Sequence, residues 1–158
     1  MKALLPGSYD PVTKGHVDII ERAAAEFDEV YAVVFVNPDK RCMFSTVDRA
    51  EMLSIATSHI PNVIVDYSFG YVVDYMKEKG LDKIVKGYRN DADLKYEEAQ
   101  AEYNFSHGGY LTDLYSCSDE YDFVSSTLVR KMINSGENIE EIVPKEVAEY
   151  IEYKKSNF

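Results

Sequence analysis

Apolar positions along this chain alternate between two spacings from one end to the other. Ala3 to Leu5 is a short apolar run, and Val17, Ile20, Ala23, Ala24 and Phe27 follow at the spacing of a buried helical stripe. Val30 to Val36 is a continuous β-branched and aromatic run, as expected of a strand buried on both faces, and Asn37-Pro38 ends it. Ser45, with Asp48 three residues on, predicts a capping box for a helix carrying Met52, Leu53, Ile55 and Ala56 and continuing to about Ile60. Asn62 to Tyr67 reads as a third strand, Tyr71 to Lys79 as a helix stopped by Gly80, and Lys83 to Lys86 as a fourth strand. Asp91 to Phe105 predicts a polar helix with Ala92, Tyr96, Ala99 and Tyr103 on one side, ending before Ser106-His107-Gly108-Gly109. Leu111 to Cys117 forms a fifth strand despite Asp113. A helix opening at Ser125 carries Leu128, Val129, Met132 and Ile133 and ends at Gly136; a last one, roughly Lys145 to Lys155, buries Val147, Tyr150 and Ile151.

Five strands regularly interleaved with helices predict right-handed crossovers and the α/β class. The expected architecture is a single Rossmann-like domain over residues 1–158, with a five-stranded parallel sheet and helices on both faces. Ligands of such sheets sit beyond the carboxyl ends of the strands, where the strand order reverses. A chain of 158 residues is long enough to bury a core of ordinary size.

Composition narrows the partners. A formal net charge of −11 repels polyanions, so neither nucleic acid nor an anionic membrane is expected as a partner. No apolar run approaches the roughly 20 residues a spanning helix needs. The opening MKALLPGS has no charged-then-apolar leader, and the two cysteines, Cys42 and Cys117, make no disulfide framework, so a cytoplasmic location is expected. His59 and His107 lack companions at metal-ligand spacing, and no protein-held metal is expected. Most of the 13 tyrosines read as core edges or subunit contacts.

The chemistry concentrates in Pro6-Gly7-Ser8-Tyr9-Asp10-Pro11-Val12-Thr13-Lys14-Gly15-His16, a glycine-bearing loop between the first strand and the first helix. The free N–H groups and positive dipole end of a helix at that place favour an anion, phosphate above all. Thr13-x-Gly15-His16 has the T-x-G-H form of the nucleotidyltransferase signature, and a histidine in the first turn can reach over the loop toward whatever the amides hold. Gly15 is consistent with close approach of a ligand to the backbone.

With Asn37-Pro38-Asp39-Lys40, Met43-Phe44, Lys86-Gly87-Tyr88-Arg89, Ala92-Asp93, Tyr96-Glu97 and Val124-Ser125-Ser126-Thr127-Leu128-Val129 in this order, the chain resembles the bacterial phosphopantetheine adenylyltransferases over nearly its whole length. The resemblance implies transfer of the adenylyl group of ATP to 4′-phosphopantetheine, giving dephospho-coenzyme A and pyrophosphate, by in-line attack with no covalent enzyme intermediate. It implies His16 and Lys40 as catalytic residues. It implies an ATP site of Ser8, Tyr9, His16, Gly87, Tyr88, Arg89 and Glu97, together with Tyr121, Asp122, Phe123, Val124, Ser125, Ser126 and Thr127. It assigns Ser8, Lys40, Val72 and Lys86 to the acceptor, and Mg2+ arriving with ATP as cofactor. Assembly as a homohexamer is likewise implied by resemblance alone.

Three departures stand out. Lys86 occupies the place of an arginine in the family, a point charge where a planar fork would grip phosphate bidentately. The predicted polar helix departs near Asn90-Asp91 and Leu94-Lys95. Cys117-Ser118-Asp119-Glu120-Tyr121-Asp122 is more acidic than a phosphate-facing loop should be. Two other readings remain: a nucleotidyltransferase of the same superfamily with a different phosphomonoester acceptor, and a non-catalytic nucleotide-binding relative, which would show decay at His16, Lys40 or Ser126.

Overall fold

A computed structural model describes residues 1–156. Strands β1 (Lys2–Gly7), β2 (Glu29–Phe35), β3 (Val63–Ser68), β4 (Lys83–Tyr88) and β5 (Thr112–Ser116) form one all-parallel sheet in the order β3-β2-β1-β4-β5. The helices between and after them are α1 (Lys14–Glu26), α2 (Thr46–Thr57), α3 (Val72–Lys79), α4 (Asp91–Gly108), α5 (Ser126–Asn134) and α6 (Lys145–Ser156), with a short 3-10 turn at Asp119–Tyr121. This is the expected α/β, Rossmann-like domain. The order reverses between β1 and β4, so the crevice of the fold opens there.

Side chains alternate across the sheet with the period of two that a strand imposes. Ala3, Leu5, Val30, Ala32, Val34 and Val85 face the larger core, packed with Ile20, Ala23, Met52, Leu53, Val129, Val147 and Ile151 of α1, α2, α5 and α6. Leu4, Val33 and Ile84 face the opposite way, onto Tyr75, Met76 and Leu81. α1 lies close enough to β4 that a Cβ at Gly87 would stand 2.9 Å from Ile19 Cγ1, so glycine is what lets helix and strand meet.

β1 is longer than its apolar run predicts, because its backbone stays paired with β2 from Lys2↔Glu29 to Gly7↔Val34. On its other side it pairs with β4 only at Ala3↔Lys83 and Leu4↔Ile84. Pro6 has no N–H to give, and its carbonyl accepts a hydrogen bond from Lys86 Nζ at 3.2 Å. The two strands therefore part at their carboxyl ends.

Three local expectations are corrected. α2 stops at Thr57 rather than near Ile60, where Thr57 Oγ1 turns back to Leu53 O (2.8 Å) and Ser58 N to Ile55 O (3.4 Å). Its cap is half of the expected box: Ser45 accepts from Asp48 N, but the Asp48 carboxylate takes a hydrogen bond from the Tyr150 hydroxyl (2.7 Å) and pairs with Lys154 (3.1 Å), joining α2 to α6. On α4 the side carrying Ala92, Tyr96, Ala99 and Tyr103 is not the packed one; Tyr96 is 62% and Tyr103 51% exposed, and the one buried residue of the helix is Glu97. Glu97 turns inward because Lys86 waits there, 3.6 Å away. No helix among the described residues is long and apolar enough to cross a membrane.

Candidate active site

The carboxyl ends of β1 and β4, the start of α1, the Lys40 loop and the start of α5 surround a cavity of about 400 Å3. Ser8, Tyr9, His16, Lys40, Lys86, Gly87, Arg89, Glu97, Val124, Ser125, Ser126 and Thr127 all line it, although they come from six separate stretches of chain. A second cavity of about 740 Å3 adjoins it, sharing Ser8, Lys40, Lys86 and Glu97 and continuing past Phe69, Tyr71 and Val72.

Its floor is the turn after β1. Tyr9 has a φ of +47°, a region that bulky residues rarely occupy, and it is held there by burial of its ring and by its hydroxyl, which donates to Leu5 O at 2.8 Å. Gly7 makes room for that ring, since a Cβ would stand 3.0 Å from Tyr9 Cε2. Burial drives the phenol's pKa well up. The expectation of Tyr9 as an ATP contact is thus narrowed: its hydroxyl is spent inside the turn, and its ring packs edge-on against His16, with centroids 4.9 Å apart.

α1 begins with a reciprocal capping box. Thr13 Oγ1 accepts from His16 N at 3.2 Å, and His16 Nδ1 accepts from Thr13 N at 3.0 Å. The imidazole takes the place a glutamate or glutamine usually fills. Because a backbone N–H can only donate, Nδ1 is the acceptor, and the ring proton sits on Nε2, free to donate into the cavity. Burial, helped by the positive charges of Lys86 and Arg89, pushes the His16 pKa down to about 4. Gly15 shows a different pattern. A Cβ there would meet Thr13 Oγ1 at 3.5 Å, ordinary contact, so the fold itself does not demand glycine.

Cations ring the cavity, each tied in place. Lys40 Nζ donates to Ser8 Oγ at 3.0 Å. Lys86 Nζ donates to Pro6 O and lies 3.6 Å from Glu97 Oε2, too long for a hydrogen bond. That carboxylate, 9% exposed and without a hydrogen-bond partner on Oε2, has its pKa raised chiefly by burial, with the Lys86 charge opposing. Arg89 Nε pairs with Asp93 at 3.0 Å. At the start of α5, Ser125 caps the helix by accepting from Leu128 N (3.1 Å), and Ser126 Oγ donates to Pro11 O (2.8 Å). The helix start is thereby fastened to the β1–α1 turn, and a 3-10 turn just before it settles the acidic loop. Asp119, Glu120 and Asp122 do not line the cavity, and Ser118 Oγ bonds Asp18 at 2.7 Å instead.

Some expected site residues lie elsewhere. Tyr121 packs against the larger core in a separate hollow beside Lys14 and His59, and Phe123, 59% exposed, and Asp122 line neither cavity. Tyr88, the last residue of β4, is also outside both, although it shares the strand face of Lys86. Val72 lines only the adjoining cavity. Sequence reasoning passed over Asp10 and Arg49, buried polar residues of the site. Arg49, 4% exposed, donates to Ser8 O at 3.0 Å and to Thr46 Oγ1 at 3.2 Å, steadying the loop that presents Ser8. A charged residue among the apolar positions of α2 was the available signal.

Among the described residues no cluster of three or more His, Cys, Asp or Glu side chains could hold a metal ion. Asp93 is paired with Arg89 and Asp10 with backbone amides.

The His16 geometry has a direct readout. Its folded pKa lies below the ordinary histidine value, so the imidazole should remain neutral from neutral pH down to about 4. Stability drawn from keeping it neutral is complete above about 6.5 and is lost as pH falls through about 4. NMR titration of the histidine ring resonances checks this, with His59 as internal comparison; a His16 midpoint near 6.5 would contradict the buried acceptor role of Nδ1.

Residues 4–132 match the cytidylyltransferase-like family. The chain belongs to that family and is a nucleotidyltransferase.

Proposed function

We propose that this nucleotidyltransferase transfers the adenylyl group of ATP to 4′-phosphopantetheine, forming dephospho-coenzyme A and releasing pyrophosphate. The observation that carries the reading is the His16 ring, neutral, oriented by Thr13, and presenting Nε2–H to a cavity bounded by Lys40–Ser8 on one side and the α5 start on the other. Such transfer needs the acceptor phosphate held in line with the α-phosphate and donors aimed where charge grows; it needs no nucleophile from the protein.

In this reading Ser8 and Lys40 hold the acceptor phosphate, and Lys40 also reaches the α-phosphate. His16 Nε2–H stabilises charge at the α-phosphate. The free amides of Ser125, Ser126 and Thr127, with the hydroxyls of Ser125 and Thr127, receive the β- and γ-phosphates at the α5 start, while the Ser126 hydroxyl stays on Pro11 O. Gly87, Arg89 and Glu97 border the nucleoside. Magnesium enters with ATP and neutralises its phosphates. The adjoining cavity, with Phe69, Tyr71 and Val72 beside Gln100, suits the long, partly apolar arm of phosphopantetheine.

Pyrophosphate release, assayed with ATP and CTP against a panel of phosphorylated acceptors, tests the reading. ATP with 4′-phosphopantetheine should give the highest kcat/KM. Release with another phosphomonoester and none with this one would move the acceptor, and Lys86 is the observation that favours such a second reading. No release with any pair would leave a nucleotide-binding relative.

A homohexamer is the proposed assembly. Tyr96, Tyr103 and Phe105 on α4, with Phe69 and Tyr71 just after β3, are each more than half exposed in the single chain, and aromatics so placed suit subunit contacts. Light scattering should report six copies, and a monomeric mass at micromolar concentration would contradict it.

A further inference from the structure

The loop that carries Lys40, residues 37–45, has neither helix nor strand. Its first limb is a tight turn, with Asp39 N bonded to Asn37 Oδ1 (3.0 Å) and Lys40 N to Asn37 O (3.0 Å). Its second limb is held by a residue of a different loop: the Asp10 carboxylate, with Oδ2 accepting from Met43 N at 2.8 Å and Oδ1 from Phe44 N at 2.9 Å. Lys40 lies between these limbs, exposed, with its ammonium on Ser8, two residues before Asp10.

Asp10 is 2% exposed, and a carboxylate so deep must have its charge answered by donors. Two backbone N–H groups, one per oxygen, form a directional fork, and Arg130 stands 3.8 Å from Oδ2. Arg130 also donates to Asp10 O at 2.8 Å and to Thr127 Oγ1 at 3.1 Å. One side chain thus registers three parts of the cavity wall against each other: the turn after β1, the Lys40 loop and the start of α5. Arg130 binds the turn and α5 directly, whereas the Lys40 loop is held by the carboxylate.

We propose that Asp10 is a positioning residue that sets where the Lys40 ammonium stands over the cavity by clamping residues 43 and 44. The inference rests on the adenylyl-transfer reading of Lys40 and adds a residue to which that reading gives no part. Without the fork the loop keeps its first turn but loses its second anchor, and Lys40 spreads over many positions. A displacement of about 1 Å in a catalytic group can cost on the order of a hundredfold in rate.

The test is a double-mutant cycle. Asp10→Asn keeps the shape, but its amide NH2 meets an N–H that needs an acceptor. kcat should fall about tenfold to a hundredfold. In a Lys40→Ala background the same change should cost no more than about twofold, because the residue it positions is gone. Equal losses in both backgrounds overturn the proposal, for Asp10 would then act independently of Lys40. If Lys40→Ala alone turns over normally, the transfer reading of Lys40 falls, and the catalytic half of this proposal with it. Amide hydrogen exchange on the unaltered protein decides the clamp itself, whether or not the Asp10→Asn variant folds. Met43 and Phe44 should be protected while Arg41 is not; free-loop exchange at Met43 and Phe44 overturns the clamp.

Discussion

Replacing His16 with alanine should lower kcat by about a hundredfold to a thousandfold while leaving equilibrium ATP binding close to normal. The expectation follows from what the ring does at rest. Nδ1 is occupied by Thr13 N–H at 3.0 Å, so Nε2–H is the donor offered to the cavity, and a neutral ring at pH 7 adds no net charge to attract a ground-state polyphosphate. The donor's worth therefore lies in the transition state, when negative charge builds on the α-phosphate. Pre-steady-state turnover measured beside calorimetric ATP binding separates the two contributions. Near-normal kcat would remove His16 from the chemistry, and lost affinity with unchanged kcat would make it a binding residue. His16→Gln probes the same point from the other side. Its amide oxygen can accept from Thr13 N–H and keep the cap, so a loss as large as that of alanine would assign the effect to Nε2–H rather than to the helix start.

Lys86→Ala should raise the KM for the acceptor by about tenfold to a hundredfold, since a cation-to-phosphate hydrogen bond contributes roughly 1.5 to 3 kcal/mol. Lys86→Arg should preserve or lower it, because the fork can grip phosphate with two parallel N–H groups. The KM for ATP should change little in either variant. Alanine also strands the buried Glu97 carboxylate, which loses the ammonium 3.6 Å away and turns its charge on the incoming phosphate. Adding Glu97→Gln to Lys86→Ala should therefore recover part of the acceptor KM. If arginine abolishes turnover while alanine is tolerated, the pocket is built for a different acceptor. Steady-state kinetics varying each substrate at saturating levels of the other reads all of this.

Much of the fold was legible in one dimension because sheet and helix impose different spacings on buried side chains. The run Val30 to Val36 could only be a strand covered on both faces, and the stripe Val17, Ile20, Ala23 could only be one side of a helix. The turn between β1 and α1 announced itself through Gly7 and the T-x-G-H box, whose residues are neighbours in sequence and so in space. For the same reason Ser125 was readable as a helix cap. α4 misled the pattern. Its tyrosines make the apolar stripe, yet the side that packs is polar, because the neighbour it meets is Lys86 and an acid is the residue that can be buried there.

By itself, then, the sequence determined the elements, their alternation, the glycine-bearing turn after β1 and the residue types around it, all of which depend on local spacing and on the chemistry of single side chains. The tertiary structure alone decided which nitrogen of His16 bears the proton and how far its pKa falls, since burial and the charges of Lys86 and Arg89, 70 residues or more away in sequence, set both. It decided that β1 and β4 part after Leu4, that Lys86 pairs with Glu97, and that Asp119, Glu120 and Asp122 of the loop before α5 do not line the cavity. It also brought Asp10 under Met43 and Phe44. Each of these is a distance between residues remote along the chain, and only packing fixes such distances.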